Sequence, residues 1–297
     1  MPTAASRVAS HALRVFPRAQ FSRLVGWASD IEGPTPLVQA AVRVFTTVFR
    51  VDLQEVEAPP GGWRTFDAFF TRRLQAGARP FPGPEDPTAL PSPADGRVTA
   101  VGDVAPDATV EVKGQTYRLA ELLARDGDGD PPPPAAGSFV VIYLAPPDYH
   151  RVHAAIGGTV SRVHHRAGDQ FPVNPLGEWL VPEIFVRNER LVVEQGDGNA
   201  TVMVGALGVR RIELAFAGGD PQRAPGHRFA VGDELGVFHL GSSVVLILGE
   251  RVRFQVAPGD VVRAGQVLGR RVGPRRLDPD ELPGETGDGP IPPEGPA

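Results

Sequence analysis

Two kinds of apolar spacing divide the chain. Over the first fifty residues, apolar side chains recur at helical intervals, with Leu13, Phe16, Phe21, Leu24, Val25 and Trp27 in one series and Val38, Ala41, Val42, Phe45, Val48 and Phe49 in a second. A shorter stripe of Phe66, Phe69, Phe70 and Leu74 predicts a helix over residues 65–74, with Thr65 as its N-cap. After Pro80 the spacing changes to short runs of Val, Ile and Leu broken by Gly, Pro and Asp, the pattern of strands joined by turns. The runs are 97–101, 139–144, 159–164, 191–194, 201–204, 211–215, 244–248 and 252–256. This predicts a mostly β fold with N-terminal helices, of the α+β class.

Two pieces refine that expectation. Residues 93–98 and 258–269 resemble the turns of biotinyl or lipoyl hammerheads, which points to a barrel-sandwich-hybrid-like β core. Neither carries a modifiable lysine, so a carrier domain is not expected. The chain divides into amphipathic helices at 1–50, a β-rich catalytic domain at 51–272, and a Pro/Gly-rich acidic tail at 273–297 that should be disordered. The proline-rich loop 126–137 cannot join a sheet interior.

Charge sharpens the picture at the N-terminus. Six arginines (Arg7, Arg14, Arg18, Arg23, Arg43 and Arg50) stand against Asp30 and Glu32 there, on a chain of net charge -5. That overall balance gives no electrostatic reason for nucleic-acid binding. Periodicity alone would let the two helices simply pack on the core. Their basic, aromatic-bearing faces also suit the headgroup region of an anionic bilayer. No signal-peptide core is read in residues 1–10, and no run approaches the roughly 18 apolar residues of a spanning helix. A membrane contact would therefore be made from the surface. The absence of cysteine excludes disulfides, thiolate metal sites and a Cys nucleophile.

The candidate chemistry lies in three separated segments: Ser92-Pro93-Ala94-Asp95-Gly96, Asp148-Tyr149-His150-Arg151-Val152-His153, and the apolar run containing Leu240-Gly241-Ser242-Ser243. A serine hydroxyl is a poor nucleophile unless a base takes its proton and a further group orients that base. His153 and Asp95 fit those roles. Gly241 offers an unhindered carbonyl beside Ser242 and a residue tolerant of backbone strain. An N-to-O acyl shift followed by β-elimination would end one chain at Gly241 and leave residue 242 as a pyruvoyl group. Such a ketone is a covalently built electron sink, serving as pyridoxal phosphate does elsewhere. Lys113 is the only lysine, so a lysine Schiff base would have a single candidate, in a turn-like Val112-Lys113-Gly114. Read singly, each residue has a bland alternative: Asp95-Gly96 as a turn, His150 and His153 as a surface pair or metal ligands, and Ser242 as a small residue in a buried strand.

The motifs together resemble the phosphatidylserine decarboxylases of the membrane-associated bacterial type, from about Phe16 to about Leu268. Besides the three segments, the likeness is carried by Trp63-Arg64-Thr65-Phe66 with Phe69-Phe70, by Val173-Asn174-Pro175-Leu176, by Arg187-Asn188-Glu189-Arg190 and by Val204-Gly205-Ala206. Ser243 departs from the family, which commonly has Thr after the cleavage serine. The resemblance implies Asp95, His153 and Ser242 as a self-cleavage triad and scission between Gly241 and Ser242. It implies Ser242 as the site of a covalent pyruvoyl cofactor and of the substrate Schiff base, and His150 as an aid to decarboxylation. No metal is expected. The expected partners are phosphatidylserine and an anionic membrane surface at the cytoplasmic face of the cell membrane, bound peripherally or monotopically. The large chain 1–241 is expected to stay with the small chain 242–297, and a homodimer is one candidate assembly; nucleic acid is not expected. Two rival classes remain open at this point: a zinc hydrolase using His150, His153 and Asp95, and a non-catalytic membrane adaptor.

Overall fold

The computed structural model of the protein describes residues 18–33, 35–125, 127, 129–208 and 211–272. The expected tail at 273–297 and the apolar positions Leu13 and Phe16 lie outside the described residues. An eight-stranded sheet forms the centre. Its order across is Arg228–Phe229, Gly158–Arg166, Arg190–Gln195, Asn199–Gly205, Ser242–Leu248, Ser138–Leu144, Gly96–Asp103 and Val261–Val262. Neighbours run antiparallel throughout. Every residue of Ser242–Leu248 is buried, because both faces of the sheet are covered. One face packs around Val140, Ile142, Met203, Val244 and Leu246; the other packs around Val141, Val202, Val204, Val245 and Ile247.

Three smaller sheets surround it. Arg151–His153 joins Glu234–Phe238 and Ile212–Leu214, and Val267–Val272 lies between Ala89–Pro91 and Arg251–Phe254. The fourth is a hairpin of Thr109–Val112 with Gln115–Arg118, turned by Lys113 (φ 51°) and Gly114 (φ 76°). Two positive φ angles in a two-residue loop match the right-handed twist of the strands. The predicted runs all fall in strands or overlap them, whereas Arg151–His153, Glu234–Phe238 and this hairpin were not predicted. The two hammerhead-like segments lie side by side: Val261 pairs with Arg97 and Val262 with Gly96, and the Gly265 N–H donates to the Ser92 carbonyl at 2.9 Å.

Helices α1 (Arg18–Asp30), α2 (Thr35–Phe49) and α3 (Phe66–Phe70) all precede the sheet strands in sequence. The Thr65 hydroxyl accepts from the Ala68 N–H at 2.9 Å, the N-cap bond expected. The helix is shorter than predicted, because Leu74 leaves it to bridge Val56. Val38 and Val42 of α2 pack on Val56, Trp63 and Phe69, so part of this region is core. Another part is not: Leu24, Trp27, Leu37, Val44 and Val48 are each 62 to 67% exposed. Among the described residues no helix is long and apolar enough to cross a membrane.

Candidate active site

Ser242 opens the central strand, paired with Leu144 on one side and Gly205 on the other. Its hydroxyl, like that of Ser243, is buried without a hydrogen-bond partner. A buried unmatched hydroxyl in a sheet interior costs free energy, on the order of 1–3 kcal/mol, and is seldom left without a purpose. The backbone strain expected at Gly241 falls one residue earlier. Leu240 has φ +80°, the left-handed region, while Gly241 has no such angle, and a Cβ there would meet only the Leu207 carbonyl oxygen, at 3.8 Å.

Asp95 sits at the end of the Gly96–Asp103 strand, where Gly96 is required: a Cβ at 96 would lie 2.4 Å from the Tyr143 carbonyl oxygen. Arg79 grips the Asp95 carboxylate with two bonds, Nε to Oδ1 at 2.8 Å and Nη2 to Oδ2 at 2.6 Å. The Ala264 N–H, from the second hammerhead-like segment, donates to Oδ1 at 2.8 Å. A planar guanidinium fork and a backbone donor fix this carboxylate in place.

His153 is anchored beside it, its N–H donating to the Pro93 carbonyl at 2.8 Å. The His153 ring makes no hydrogen bond to Asp95 or Ser242. Instead Nδ1 lies 2.8 Å from the Gly232 carbonyl, which can only accept. Nδ1 therefore carries the proton and Nε2 keeps its lone pair, the tautomer a general base needs. The role of fixing that tautomer, expected of Asp95, is filled by Gly232. Nε2 receives the Tyr149 hydroxyl at 3.3 Å. Burial holds the His153 pKa below its ordinary value, partly opposed by the Gly232 bond and by the negative charges of Glu234 and Asp95.

His150 is fully buried, 4.1 Å from the Phe70 ring centroid. Its Nδ1 donates to the Asp148 carbonyl at 2.8 Å, and Nε2 has no partner. Burial, aided by the charge of nearby Arg72, pushes its pKa down to about 3, so the ring is neutral and presents a free lone pair. The Phe238 N–H, four residues before Ser242, donates to the His150 carbonyl at 3.1 Å, tying this loop to the approach to the central strand. Burial likewise raises the Asp148 carboxyl to about 6. His239 is buried against Asp67 of α3, Nδ1 to the carboxylate at 2.8 and 2.9 Å.

The site thus gathers Asp95 and His153 through Pro93, and His150 and the run before Ser242 through Phe238. Arg79, Arg72, Tyr149, Gly232 and Ala264 were not expected from sequence, where buried arginines and backbone donors leave no periodic trace. The zinc set does not assemble: among the described residues no three His, Asp or Glu side chains converge as metal ligands.

The helix α1 reaches the same region. The Gly208 N–H donates to the buried Ser22 hydroxyl at 2.8 Å, one residue beyond the Leu207 carbonyl that faces Gly241.

The chain also has clear relatives among known proteins. The sequence model of a family described as "Phosphatidylserine decarboxylase" matches residues 66–270. A phosphatidylserine decarboxylase proenzyme of Bordetella petrii is 38% identical over 277 residues, covering 85% of this chain and 93% of that protein. Proteins of the same name from Alkalilimnicola ehrlichii (36%, 84% of this chain and 89% of that one) and Myxococcus xanthus (36%, 88% and 96%) are similarly related.

Proposed function

The chain belongs to the phosphatidylserine decarboxylase family, and on that premise we propose that it is a precursor that cuts itself between Gly241 and Ser242 and then converts phosphatidylserine to phosphatidylethanolamine and carbon dioxide. The observation that carries the reading is the buried, unpartnered Ser242 hydroxyl two residues after a strained Leu240, in a fold that ties His153 to Pro93, two residues before Asp95.

In the first stage His153 Nε2 takes the Ser242 hydroxyl proton once Ser242 turns toward it, and Oγ adds to the Gly241 carbonyl carbon. The amide C–N bond breaks as His153 returns the proton to nitrogen, leaving an ester. Removal of the Ser242 Cα proton then expels the Gly241 carboxylate and leaves dehydroalanine, whose tautomer hydrolyses with loss of ammonia. Asp95 stabilises the transient imidazolium through its field, held in place by Arg79 and Ala264. The products are the chains 1–241 and 242–297.

The residues fit the pyruvoyl group that results: Ser242 is buried, with Gly205 opposite it in the sheet and Gly241 and Ser243 on either side in the chain, and His150 Nε2 is left unmatched on the loop tied to the run before this strand. That group supplies an electrophilic carbonyl that takes the substrate amine and draws electrons from the bond to the carboxylate. His150, neutral and with Nε2 free, orients the headgroup and transiently carries the proton that replaces carbon dioxide on carbon. The exposed apolar side chains of α1 and α2 rest on the membrane that holds the substrate, which supports a peripheral position at the inner face.

Intact mass under denaturing conditions tests the first stage. Two chains meeting at 241 and 242, the smaller beginning with a pyruvoyl mass, are expected. A single unmodified chain of 31.6 kDa, after lipid and detergent have been supplied, would overturn the reading.

A further inference from the structure

Arg72 follows α3 and is 4% exposed. Its Nη2 donates to the carbonyl oxygens of Pro147 at 2.7 Å and Asp148 at 3.1 Å, on the loop that carries His150. Nε and Nη1 are buried with no hydrogen-bond partner, and among the described residues no carboxylate lies within ion-pair distance of the group. A buried guanidinium with unmatched donors is costly unless an anion completes it. Two neighbouring arginines are already occupied: Arg73 and Arg151 both pair with Glu234.

The position of Arg72 says which anion. It lines a cleft of about 590 Å³ whose rim includes Pro59, Pro60 and Trp63. Gln39 of α2 donates to the Trp63 carbonyl at 3.0 Å, so this rim adjoins the helices that expose apolar side chains. Arg72 thus joins this cleft, which Glu57, Arg64, Arg73 and Arg151 also line, to the loop that carries His150. A phospholipid entering by this cleft with its headgroup toward His150 would set its phosphodiester, which lies between acyl chains and headgroup, at Arg72.

We propose that Arg72 binds the phosphodiester of the phospholipid substrate and so positions the serine moiety against His150 and residue 242. This rests on the function proposed above and assigns a subsite within it. The substrate's carboxylate is the other anion in reach. A guanidinium clamped on it would stabilise the ground state of a group whose charge must be lost in the reaction, whereas the phosphodiester keeps its charge from substrate to product.

The test uses the processed two-chain protein. Arg72→Gln should still cut itself, while KM for dihexanoyl phosphatidylserine rises about tenfold or more and kcat changes less than about threefold, as expected for loss of a charge-assisted contact made equally in both states. By titration calorimetry, affinity for dihexanoyl phosphatidylglycerol, which has a phosphodiester but no amine or carboxylate, should fall in parallel. Weak binding of N-acetylserine, which has the carboxylate alone, should not change. If Arg72→Gln fails to fold, Arg72→Lys makes the same comparison with a smaller loss, since an ammonium keeps the charge but not the fork. An unchanged KM, a loss of N-acetylserine binding instead, or an uncut variant that melts like the parent would each overturn the proposal. Failure of the underlying reading would look different: the parent itself would remain a single chain.

Discussion

Leu240 stands at φ +80°, immediately before the glycine whose peptide bond is proposed to break. A non-glycine residue in the left-handed region stores about 1–2 kcal/mol, released if the chain relaxes. Two substitutions separate that strain from the side chain. Leu240→Ala removes the side chain and keeps the Cβ that causes the strain; Leu240→Gly removes both. If cutting relieves the strain in its transition state, Leu240→Gly should be cut roughly 5- to 30-fold more slowly than Leu240→Ala. Equilibrium stability is a blunter readout, because the extra unfolded-state freedom of glycine offsets about 0.5–1 kcal/mol. The rate is best followed in a cell-free synthesis after a pulse of labelled methionine. Met1 and Met203 both precede residue 242, so label reports precursor and large chain together. Equal rates, or faster cutting by Leu240→Gly, would refute the reasoning and leave the backbone angle without a part in maturation.

Arg79→Met, made in an uncut Ser242→Ala background, removes the guanidinium paired with the Asp95 carboxylate; both side chains are about a tenth exposed, and breaking such a pair costs about 3–5 kcal/mol. Melting should fall by roughly 10 °C, and a fall under about 2 °C would contradict that coupling. The rate of self-cutting should decline as pH falls through the depressed pKa of His153, because protonation removes the base; the midpoint should lie below the 6.5 of a solvated imidazole, and a midpoint above 7 would count against His153. His150→Ala should be cut at least in part yet lose about a hundredfold or more in lipid turnover, and full turnover by that variant would remove its assigned role. Trp27→Asp combined with Leu37→Asp should weaken binding to anionic vesicles at least about tenfold, read by cosedimentation; unchanged binding would place the membrane contact elsewhere.

The strands were legible where apolar runs are continuous, since a strand buried on both faces reads as Ser242–Leu248 does. Glu234–Phe238 was missed because Gly236 interrupts its pattern, and Arg151–His153 because three residues carry no period. The helix stripe at 65–74 was read correctly at its cap but not at its end, where a bridge to Val56 prevailed over local propensity. Asp95, His150, His153 and Ser242 were singled out by motif, yet sequence could not say who touches whom. The partner that orients His153 is the backbone carbonyl of Gly232, and every residue has one of those. Arg72 was hidden for a related reason: an arginine after Phe69-Phe70 reads as a helix's solvent edge, and only the packing of the Pro147–His150 loop over it reveals its burial.

Ser242–Leu248 lies in the middle of the large sheet, laddered to Ser138–Leu144 and Asn199–Gly205. A break before Ser242 therefore leaves two polypeptides sharing one interior, with the innermost strand belonging to the shorter. Once parted, they would have to meet again before that interior could form, so recovery from denaturant becomes bimolecular and slows on dilution. The uncut Ser242→Ala chain keeps the unimolecular route. The durability of the processed protein then resides in the height of its unfolding barrier, and an observed melting point will depend on how fast it is heated.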